Sequence, residues 1–327
     1  MRPYPDRSPR LFVSRRWPGE VEQALAARYD VTLNEPDAKL GRAALVQAMR
    51  TVDILCPTVS DTIDHDLIAS AGATVRLIAN YGAGVDHIDL EAARAADILV
   101  SNTPDVLTDA TAELAVLLIL MASRRAGEGE RELRAGRWAG WRPTHLLGQG
   151  VNGKVLGLVG FGRIGQMTAA RAHALGMRIA YHAPRRASAA IEAEHEAQFF
   201  ASLDELATRA DVISLHCRGG AETRHLVDAR LLALMKPTAI LVNTARGTVV
   251  NEHDLAVALA AGRIAAAGLD VFEREPAVDP ALLALDNVVL LPHLGSATRD
   301  TRVAMGMRVV ANIERFVATG EVLDRVA

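Results

Sequence analysis

The chain has 327 residues, of which 50% are hydrophobic and 23% charged, with a formal net charge of −3. This composition is typical of a folded globular protein and excludes a largely disordered chain. The length suffices for two domains of ordinary size. A small negative charge without a basic stripe argues against a nucleic-acid partner.

The sequence also argues against a membrane protein. Its longest apolar run, residues 114–122, is too short to span a bilayer. The first ten residues, MRPYPDRSPR, lack the apolar region of a signal peptide. Cys56 and Cys217 are far apart and each follows an apolar run, so we interpret them as buried free thiols. Free thiols are typical of a reducing compartment, and we expect a cytoplasmic location.

Short apolar strands alternate with helical segments over the first hundred residues. The sequence predicts strands at Leu11–Val13, Asp53–Cys56, Arg76–Ala79 and Ile98–Val100, and helices at Gly19–Arg28, Leu40–Met49, His65–Ala71 and Leu90–Ala95. Strands separated by helices of this length are typical of βαβ units and a parallel sheet.

A long helix is predicted from near Asp109 to about Arg125. Almost every position from Leu114 to Met121 is apolar, which indicates a helix buried on several sides, between domains or between subunits. The following segment, residues 136–150, is rich in Trp, Gly and Pro and is predicted to be an irregular connection.

The segment Lys154–Arg186 has the pattern of a dinucleotide-binding unit. A strand, Val155–Val159, leads into Gly160, Gly162 and Gly165 in G-x-G-x-x-G spacing. A helix ending near Gly176 and a second strand, Arg178–Tyr181, complete the unit. In such a unit, glycines permit the tight turn and close backbone approach, and the helix N-terminus attracts the pyrophosphate.

A second α/β series follows this unit. Its later strands are predicted at Asp211–His216, Ala239–Asn243, Ala265–Leu269 and Val288–Leu291. A helix is predicted over Asn251–Ala261, with Asn251 and Asp254 as a capping pair and a stop at Gly262, and the last helix over Asp300 to about Thr319. Ligands of such sheets bind beyond the carboxyl ends of the strands.

Three polar residues follow predicted strands at this edge: Arg246, Glu275 and His293. A guanidinium can bind a carboxylate or a carbonyl, and a histidine can give or take a proton near neutral pH. A neighbouring carboxylate fixes the tautomer of the ring and stabilises its protonated form. Each residue alone could be structural, but together they predict a catalytic site.

The cofactor preference is predicted from the residues after the second strand of the dinucleotide unit. NAD binding usually requires an acidic residue there, whereas this chain has Arg185 and Arg186. Arginine pairs well with a 2′-phosphate, so we predict NADPH to be preferred over NADH. A solvated basic loop is the alternative.

Six motifs, in this order, resemble those of the D-2-hydroxyacid dehydrogenase family, and most closely its glyoxylate/hydroxypyruvate reductase branch. They are NYGAGVDHIDL at 80–90, NTPDVLTDATAELAVLLIL at 102–120, GFGRIG at 160–165, NTARG at 243–247, GLDVFEREP at 268–276 and LPHLGSAT at 291–298.

The resemblance implies an α/β fold of two doubly wound parallel-sheet domains. A Rossmann-like cofactor domain, residues 103–293, would be inserted in a flavodoxin-like substrate domain formed by residues 1–102 and 294–327. It also implies a homodimer whose interface includes the helix of 109–125 and the loop after it.

The resemblance further implies roles for single residues. Arg246, Glu275 and His293 match the catalytic trio. The other matches are Ala83 and Gly84 for the substrate carboxylate, Arg163 and Ile164 for the pyrophosphate, Thr108, Thr244, Asp270 and Gly295 for the cofactor, and Trp141, from the partner subunit, for the substrate. For Trp138 and Trp141, simple interface packing stays an alternative.

The expected reaction is reduction of a small 2-oxo acid such as glyoxylate or hydroxypyruvate, by hydride transfer with His293 as proton donor and no metal ion. Two alternatives stay open: a nicotinamide-sensing regulatory protein of the same fold, and a dehydrogenase for a larger 2-hydroxy acid.

Overall fold

A computed structural model describes residues 7–70 and 74–327. The strands are β1 (Arg10–Val13), β2 (Asp30–Leu33), β3 (Ile54–Cys56), β4 (Leu77–Ala79), β5 (Leu99–Ser101), β6 (Val155–Val159), β7 (Arg178–His182), β8 (Gln198–Phe199), β9 (Val212–Leu215), β10 (Ile240–Asn243), β11 (Ala266–Leu269) and β12 (Val288–Leu290).

The helices are α1 (Gly19–Ala26), α2 (Arg42–Thr51), α3 (His65–Ser70), α4 (Leu90–Ala95), α5 (Thr108–Ser123), α6 (Ala126–Arg134), α7 (Arg163–Ala174), α8 (Ala189–Glu194), α9 (Leu203–Arg209), α10 (Ala229–Leu234), α11 (Glu252–Ala260), α12 (Pro280–Leu283) and α13 (Arg299–Thr319). Short 3₁₀ turns form at Ala221–Thr223 and Gly247–Val249. Ala71, the predicted last residue of the third helix, lies outside the described residues.

The chain divides into two compact units, one of Met1–Leu107 with Ala297–Ala327 and one of Thr108–Ser296. The predicted boundaries, after residues 102 and 293, lie a few residues from these. Among the helices formed by residues 7–70 and 74–327, none combines the length and apolar character needed to cross a membrane.

The first unit has a five-stranded parallel sheet in the order β2-β1-β3-β4-β5, which is the flavodoxin-like order. Successive side chains of a strand point to opposite faces. Leu11 and Val13 of β1 therefore pack towards α1 and α13, whereas Leu55 of β3 and Ile78 of β4 pack towards α2, α3 and α4. Both faces are covered, as a parallel sheet requires.

The second unit has a seven-stranded parallel sheet in the order β12-β11-β10-β9-β6-β7-β8. The first strand of this sheet, β6, is followed on one side by β7 and β8 and on the other side by β9 to β12. The strand order therefore reverses between β6 and β9. One face packs on α5 and α7, and the other on α9, α10 and α11. The predicted fold class, two doubly wound parallel-sheet domains, is confirmed.

Several elements were not predicted. β2 and β8 lie at sheet edges, where a strand is paired on one side only and is partly exposed. α6 is a polar helix with two glycines, AGEGERELR, and none of its residues is buried. No prediction was made for α8, α9, α10 or α12 either.

The prediction that α5 is buried on several sides is only partly met within its own unit. Ala115, Leu118 and Ile119 are buried against α7 and the sheet, whereas Leu117 is 45% exposed. The apolar face that holds Leu117 is therefore not covered by the second unit.

Candidate active site

The turn after β6 can be formed only with glycine at its first position. Gly160 has a φ of +93°, and its N–H donates to the carbonyl of His182 at 2.8 Å. A Cβ on Gly160 would lie 2.7 Å from the carbonyl carbon of His216. The turn is thus in contact with the last residue of β7 and with the residue that follows β9.

The other two glycines of the motif have different surroundings. A Cβ on Gly165 would lie 2.6 Å from the carbonyl oxygen of Gly160, so the helix packs directly on the turn. Gly162 precedes the helix, and a Cβ there would meet nothing within 4 Å. Arg163 and Ile164 form the first turn of α7, whose N-cap residue, Gly162, has no side chain to cap the helix.

A nicotinamide dinucleotide fits these residues. Gly162 provides a bare backbone for a pyrophosphate, and the N-terminus of α7 provides donors for it. The hydroxyl of Thr244, beyond the carboxyl end of β10, is buried and has no hydrogen-bond partner among residues 7–70 and 74–327. Buried polar groups normally have partners, so this hydroxyl is consistent with a ligand at the same edge.

Arg246 lies in the loop after β10, which the side chain of Asn243 holds in place. The amide nitrogen of Asn243 donates to the carbonyl of Arg246 at 2.8 Å, and its oxygen accepts from the N–H of Ala245 at 3.0 Å. Asn243 is fully buried. The Arg246 guanidinium donates to the carbonyl of Ala245 at 2.7 Å.

Glu275 and His293 form a direct pair. Nδ1 of His293 lies 2.9 Å from Oε2 of Glu275, and Oε1 of Glu275 accepts from the N–H of Phe272 at 3.0 Å. Burial alone would raise the pKa of the Glu275 carboxyl, but the bonds from His293 and Phe272 and the charge of Arg246 outweigh it and lower this pKa. The carboxylate is therefore charged at neutral pH, and the positive charge of Arg246 contributes to its stabilisation.

His293 occupies a left-handed backbone conformation, with a φ of +56°, that its neighbours enforce. Its N–H donates to the carbonyl of Asp270, and the Asp270 carboxylate accepts from the N–H groups of Leu294 and Gly295 at 2.6 and 2.8 Å. Thr111 donates to the carbonyl of Gly295 at 3.1 Å. Burial raises the pKa of the Asp270 carboxyl. Asp270 thus holds the loop that carries His293.

The two arginines after β7 differ in their contacts. Arg186 donates two bonds of 2.8 Å to Glu192 of α8, and its guanidinium lies 5.5 Å from the centre of the Phe199 ring. The hydroxyl of Tyr181 also donates to Glu192, at 2.6 Å. Arg185 is exposed and has no bond to any residue that the structure describes. Arg185 is the guanidinium available to a ligand.

Ala83 and Gly84 lie in the first unit, in the loop after β4. The side chain of Asn80 donates to the carbonyls of Gly82 and Gly84 at 3.0 and 2.9 Å, and Asn102 donates to that of Ala83 at 2.8 Å. The backbone N–H groups of Ala83 and Gly84 have no partner within residues 7–70 and 74–327. A loop with occupied carbonyls and available N–H groups can bind an anion.

Thr108 begins α5 and Trp141 follows α6, both in the second unit. Trp141 is 82% exposed and Trp138 is 52% exposed. Leu133 and Leu147 are also exposed, so the segment 133–147 carries several large apolar side chains in contact with solvent.

The loop-holding roles of Asn243, Asp270 and Thr111 were missed by sequence reasoning. Asp270 was expected near the nicotinamide, and Asn243 and Thr111 had no expected role. Asn243 ends a buried strand and Asp270 follows one, and such positions are only a weak signal of a loop-holding role. Some of the residues that they bind come close only when the chain has folded.

The comparisons with known proteins agree with this geometry. The profile of the D-isomer specific 2-hydroxyacid dehydrogenase family, NAD binding domain, matches residues 116–295. The chain is similar to the glyoxylate reductases of Thermococcus litoralis, with 43% identity over 96% of this chain and 95% of that one, and of Aeropyrum pernix, with 43% identity over 97% and 95%. It is also similar to the crystal structure of an NADPH-dependent glyoxylate/hydroxypyruvate reductase from Sinorhizobium meliloti in complex with NADP and malonate. That match has a TM-score of 0.86 and 36% identity, and covers 98% of this chain and 97% of that one.

Proposed function

Because the chain belongs to the D-isomer specific 2-hydroxyacid dehydrogenase family, we propose that it reduces glyoxylate and hydroxypyruvate with a nicotinamide cofactor. The observation that carries the proposal is the His293–Glu275 pair, at 2.9 Å, beyond the carboxyl ends of β12 and β11. It lies at the same edge of the sheet as the glycine turn that fits a dinucleotide. A proton donor beside a nicotinamide site is what reduction of a carbonyl requires.

The three side chains of the trio have different tasks in the mechanism. Arg246 binds the 2-oxo acid and polarises its carbonyl, because a fixed positive charge stabilises the developing alkoxide. A reduced nicotinamide, held at the glycine turn after β6, would supply the hydride. Nδ1 of His293 is bonded to Glu275, so Nε2 is the atom that delivers the proton. The Glu275 carboxylate fixes this tautomer and stabilises the protonated ring before transfer.

The proposal gives the remaining residues binding roles. Gly160, Gly162, Arg163, Ile164 and Gly165 bind the pyrophosphate, and Thr108, Thr244, Asp270 and Gly295 lie around the rest of the cofactor. The backbone N–H groups of Ala83 and Gly84 bind the substrate carboxylate.

NADPH is the preferred cofactor in this proposal. Arg185 is exposed and without a bond to the described residues, and no carboxylate among residues 182–186 would repel a 2′-phosphate. An arginine that has no partner in the absence of ligand loses no protein contact when it pairs with phosphate.

We also propose that the chain forms a homodimer through α5 and the segment 133–147, with Trp141 entering the partner's site. The exposed side chains of Leu117 and Trp141 support this proposal, because large apolar side chains in contact with solvent are typical of interfaces. The cytoplasmic location stays a prediction.

The test is a steady-state assay of the purified chain with glyoxylate, hydroxypyruvate and larger 2-oxo acids, each with NADPH and NADH. We expect glyoxylate and hydroxypyruvate to be reduced with a higher kcat/KM for NADPH. If only larger 2-oxo acids were reduced, the proposed substrates would be wrong and the chain would be a dehydrogenase for a larger 2-hydroxy acid. Cofactor binding with no turnover of any acid would favour a nicotinamide sensor instead, and an equal or higher kcat/KM with NADH would overturn the cofactor preference.

A further inference from the structure

A second glutamate, Glu252, binds the loop that carries Glu275, at the backbone N–H two residues before Glu275. Glu252, in the first turn of α11, is only 8% exposed, and its Oε1 accepts from the N–H of Glu273 at 2.5 Å. The preceding N–H, that of Phe272, donates to Glu275. Two successive N–H groups of one loop therefore bind two carboxylates, one in the proposed catalytic pair and one buried behind it.

The same loop is held from two further directions. A Cβ on Gly247 would collide with the carbonyl of Phe272 and the nitrogen of Glu273, so the backbone that follows Arg246 packs directly on this peptide. The side chain of Glu273 accepts from Arg224 at 2.7 Å and from His225 at 3.0 Å.

We propose that Glu252 is a positioning residue, whose carboxylate fixes the Phe272–Glu273 peptide and thereby the orientation of Glu275 towards His293. The inference rests on the proposed function. It adds a residue that has no hydrogen bond or ion pair with any member of the trio and that acts through the backbone on which Glu275 depends.

The surroundings of Glu252 favour a positioning role over burial of the carboxylate without a function. Burial and the nearby Glu273 and Asp279 raise the pKa of the Glu252 carboxyl, so its place costs electrostatic free energy. The compensation comes from N–H donors and from the N-terminus of α11, which favours an acceptor in the first turn. An apolar residue would avoid that cost but would leave the N–H of Glu273 without its acceptor.

Two conservative substitutions of Glu252 distinguish the effect of side-chain length from the effect of charge. Glu252→Gln keeps the length of the side chain and one acceptor oxygen, whereas Glu252→Asp keeps the charge but is one methylene too short. Glu205→Asp, in the first turn of α9 and exposed, is the matched control. We expect kcat for glyoxylate to fall by about 10- to 100-fold in Glu252→Asp, because small misplacements of catalytic groups have effects of that size. Glu252→Gln and Glu205→Asp should stay close to the unsubstituted protein, and KM for the cofactor should be unchanged in all three.

A spectroscopic measurement decides the inference without turnover. The Nδ1 proton of His293 in its bond to Glu275 should give a low-field NMR signal, assigned by its loss in Glu275→Gln. We expect the signal in the unsubstituted protein, Glu252→Gln and Glu205→Asp, and its loss or displacement in Glu252→Asp. An unaltered signal in Glu252→Asp would overturn the positioning role, even if the variant were less stable. An unsubstituted protein that shows the signal but reduces no 2-oxo acid would overturn the proposed function alone.

Discussion

Arg185 and Arg186 are adjacent in the chain but differ in what surrounds them. Glu192 accepts from Nε and Nη2 along one edge of the Arg186 guanidinium, and these bonds, with that of Tyr181, lower the pKa of Glu192 to about 2. The pair is therefore charged at any pH at which the protein would be assayed. A phosphate would have to compete with this carboxylate for Arg186 but not for Arg185.

We expect Arg185→Ala to raise KM for NADPH by about tenfold or more and to leave KM for NADH nearly unchanged, because only NADPH has the 2′-phosphate that a charge-assisted bond would recognise. Steady-state kinetics with both cofactors measure the difference. Arg186→Ala is the matched control, and its main effect should be a lower unfolding midpoint. Equal losses with both cofactors in Arg185→Ala would contradict the assignment.

The difference between these arginines could not be read from the sequence. Both were identified because they follow the second strand of the dinucleotide unit. The helix that carries Glu192, α8, was not predicted, and only its position beside Tyr181 and Phe199 brings the carboxylate to Arg186.

At the scale of elements, the strand–turn–helix of residues 155–174 was predictable because its glycines have the G-x-G-x-x-G spacing between a strand and a helix. Gly160 has a positive φ, Gly165 packs on Gly160, and Gly162 leaves open space before the helix. The positive φ of Gly160 and its contact with Gly165 are local features of the backbone, so a sequence pattern expresses them.

Two substitutions in this turn should affect different properties, one the stability of the fold and the other cofactor binding. Gly165→Ala places a Cβ against a backbone oxygen, and we expect the free energy of unfolding to fall by about 1–3 kcal/mol, as for other overpacked sites. Gly162→Ala should leave unfolding unchanged and weaken cofactor binding, because the added methyl group occupies open space beside the proposed pyrophosphate site. Urea unfolding without cofactor and titration with NADPH measure the two quantities. An unchanged affinity for NADPH in Gly162→Ala would mean that the pyrophosphate does not bind at this turn.

The proximity of Arg246, Glu275 and His293 was also predictable, because parallel strands of one sheet end at the same edge. The groups that hold the trio were not. Asn243, Asp270 and Glu252 act through backbone N–H and C=O groups of other residues, and those bonds exist only after the loops have folded against one another. The edge strands were missed for a different reason, since β2 and β8 are partly exposed and lack the apolar runs of the central strands.

At the scale of the whole molecule, the order of elements predicted two parallel sheets, and both are present. The order of strands and helices does not predict whether subunits associate. The exposed side chains of Leu117, Leu133, Trp141 and Leu147 all belong to α5, α6 and the segment after them. A surface of this kind is what the proposed dimer would cover.

We expect the chain to sediment as a dimer. Trp141→Ala should raise KM for glyoxylate and leave KM for NADPH unchanged, because the proposal places Trp141 in the partner's substrate site. Trp138→Ala, with a smaller exposed fraction, is the control and should affect mainly the dimer dissociation constant. A monomeric chain, or a KM effect confined to Trp138→Ala, would contradict this assignment.

The central claim is that His293 delivers the proton when the protein reduces a 2-oxo acid. The most direct measurement compares kcat for glyoxylate reduction with NADPH between the unsubstituted protein and His293→Gln, with unfolding midpoints recorded for both. The account predicts that kcat falls by about 10²- to 10⁴-fold, the usual contribution of general acid catalysis, while the midpoint hardly changes. A loss of less than about tenfold in a folded variant would mean that another group delivers the proton.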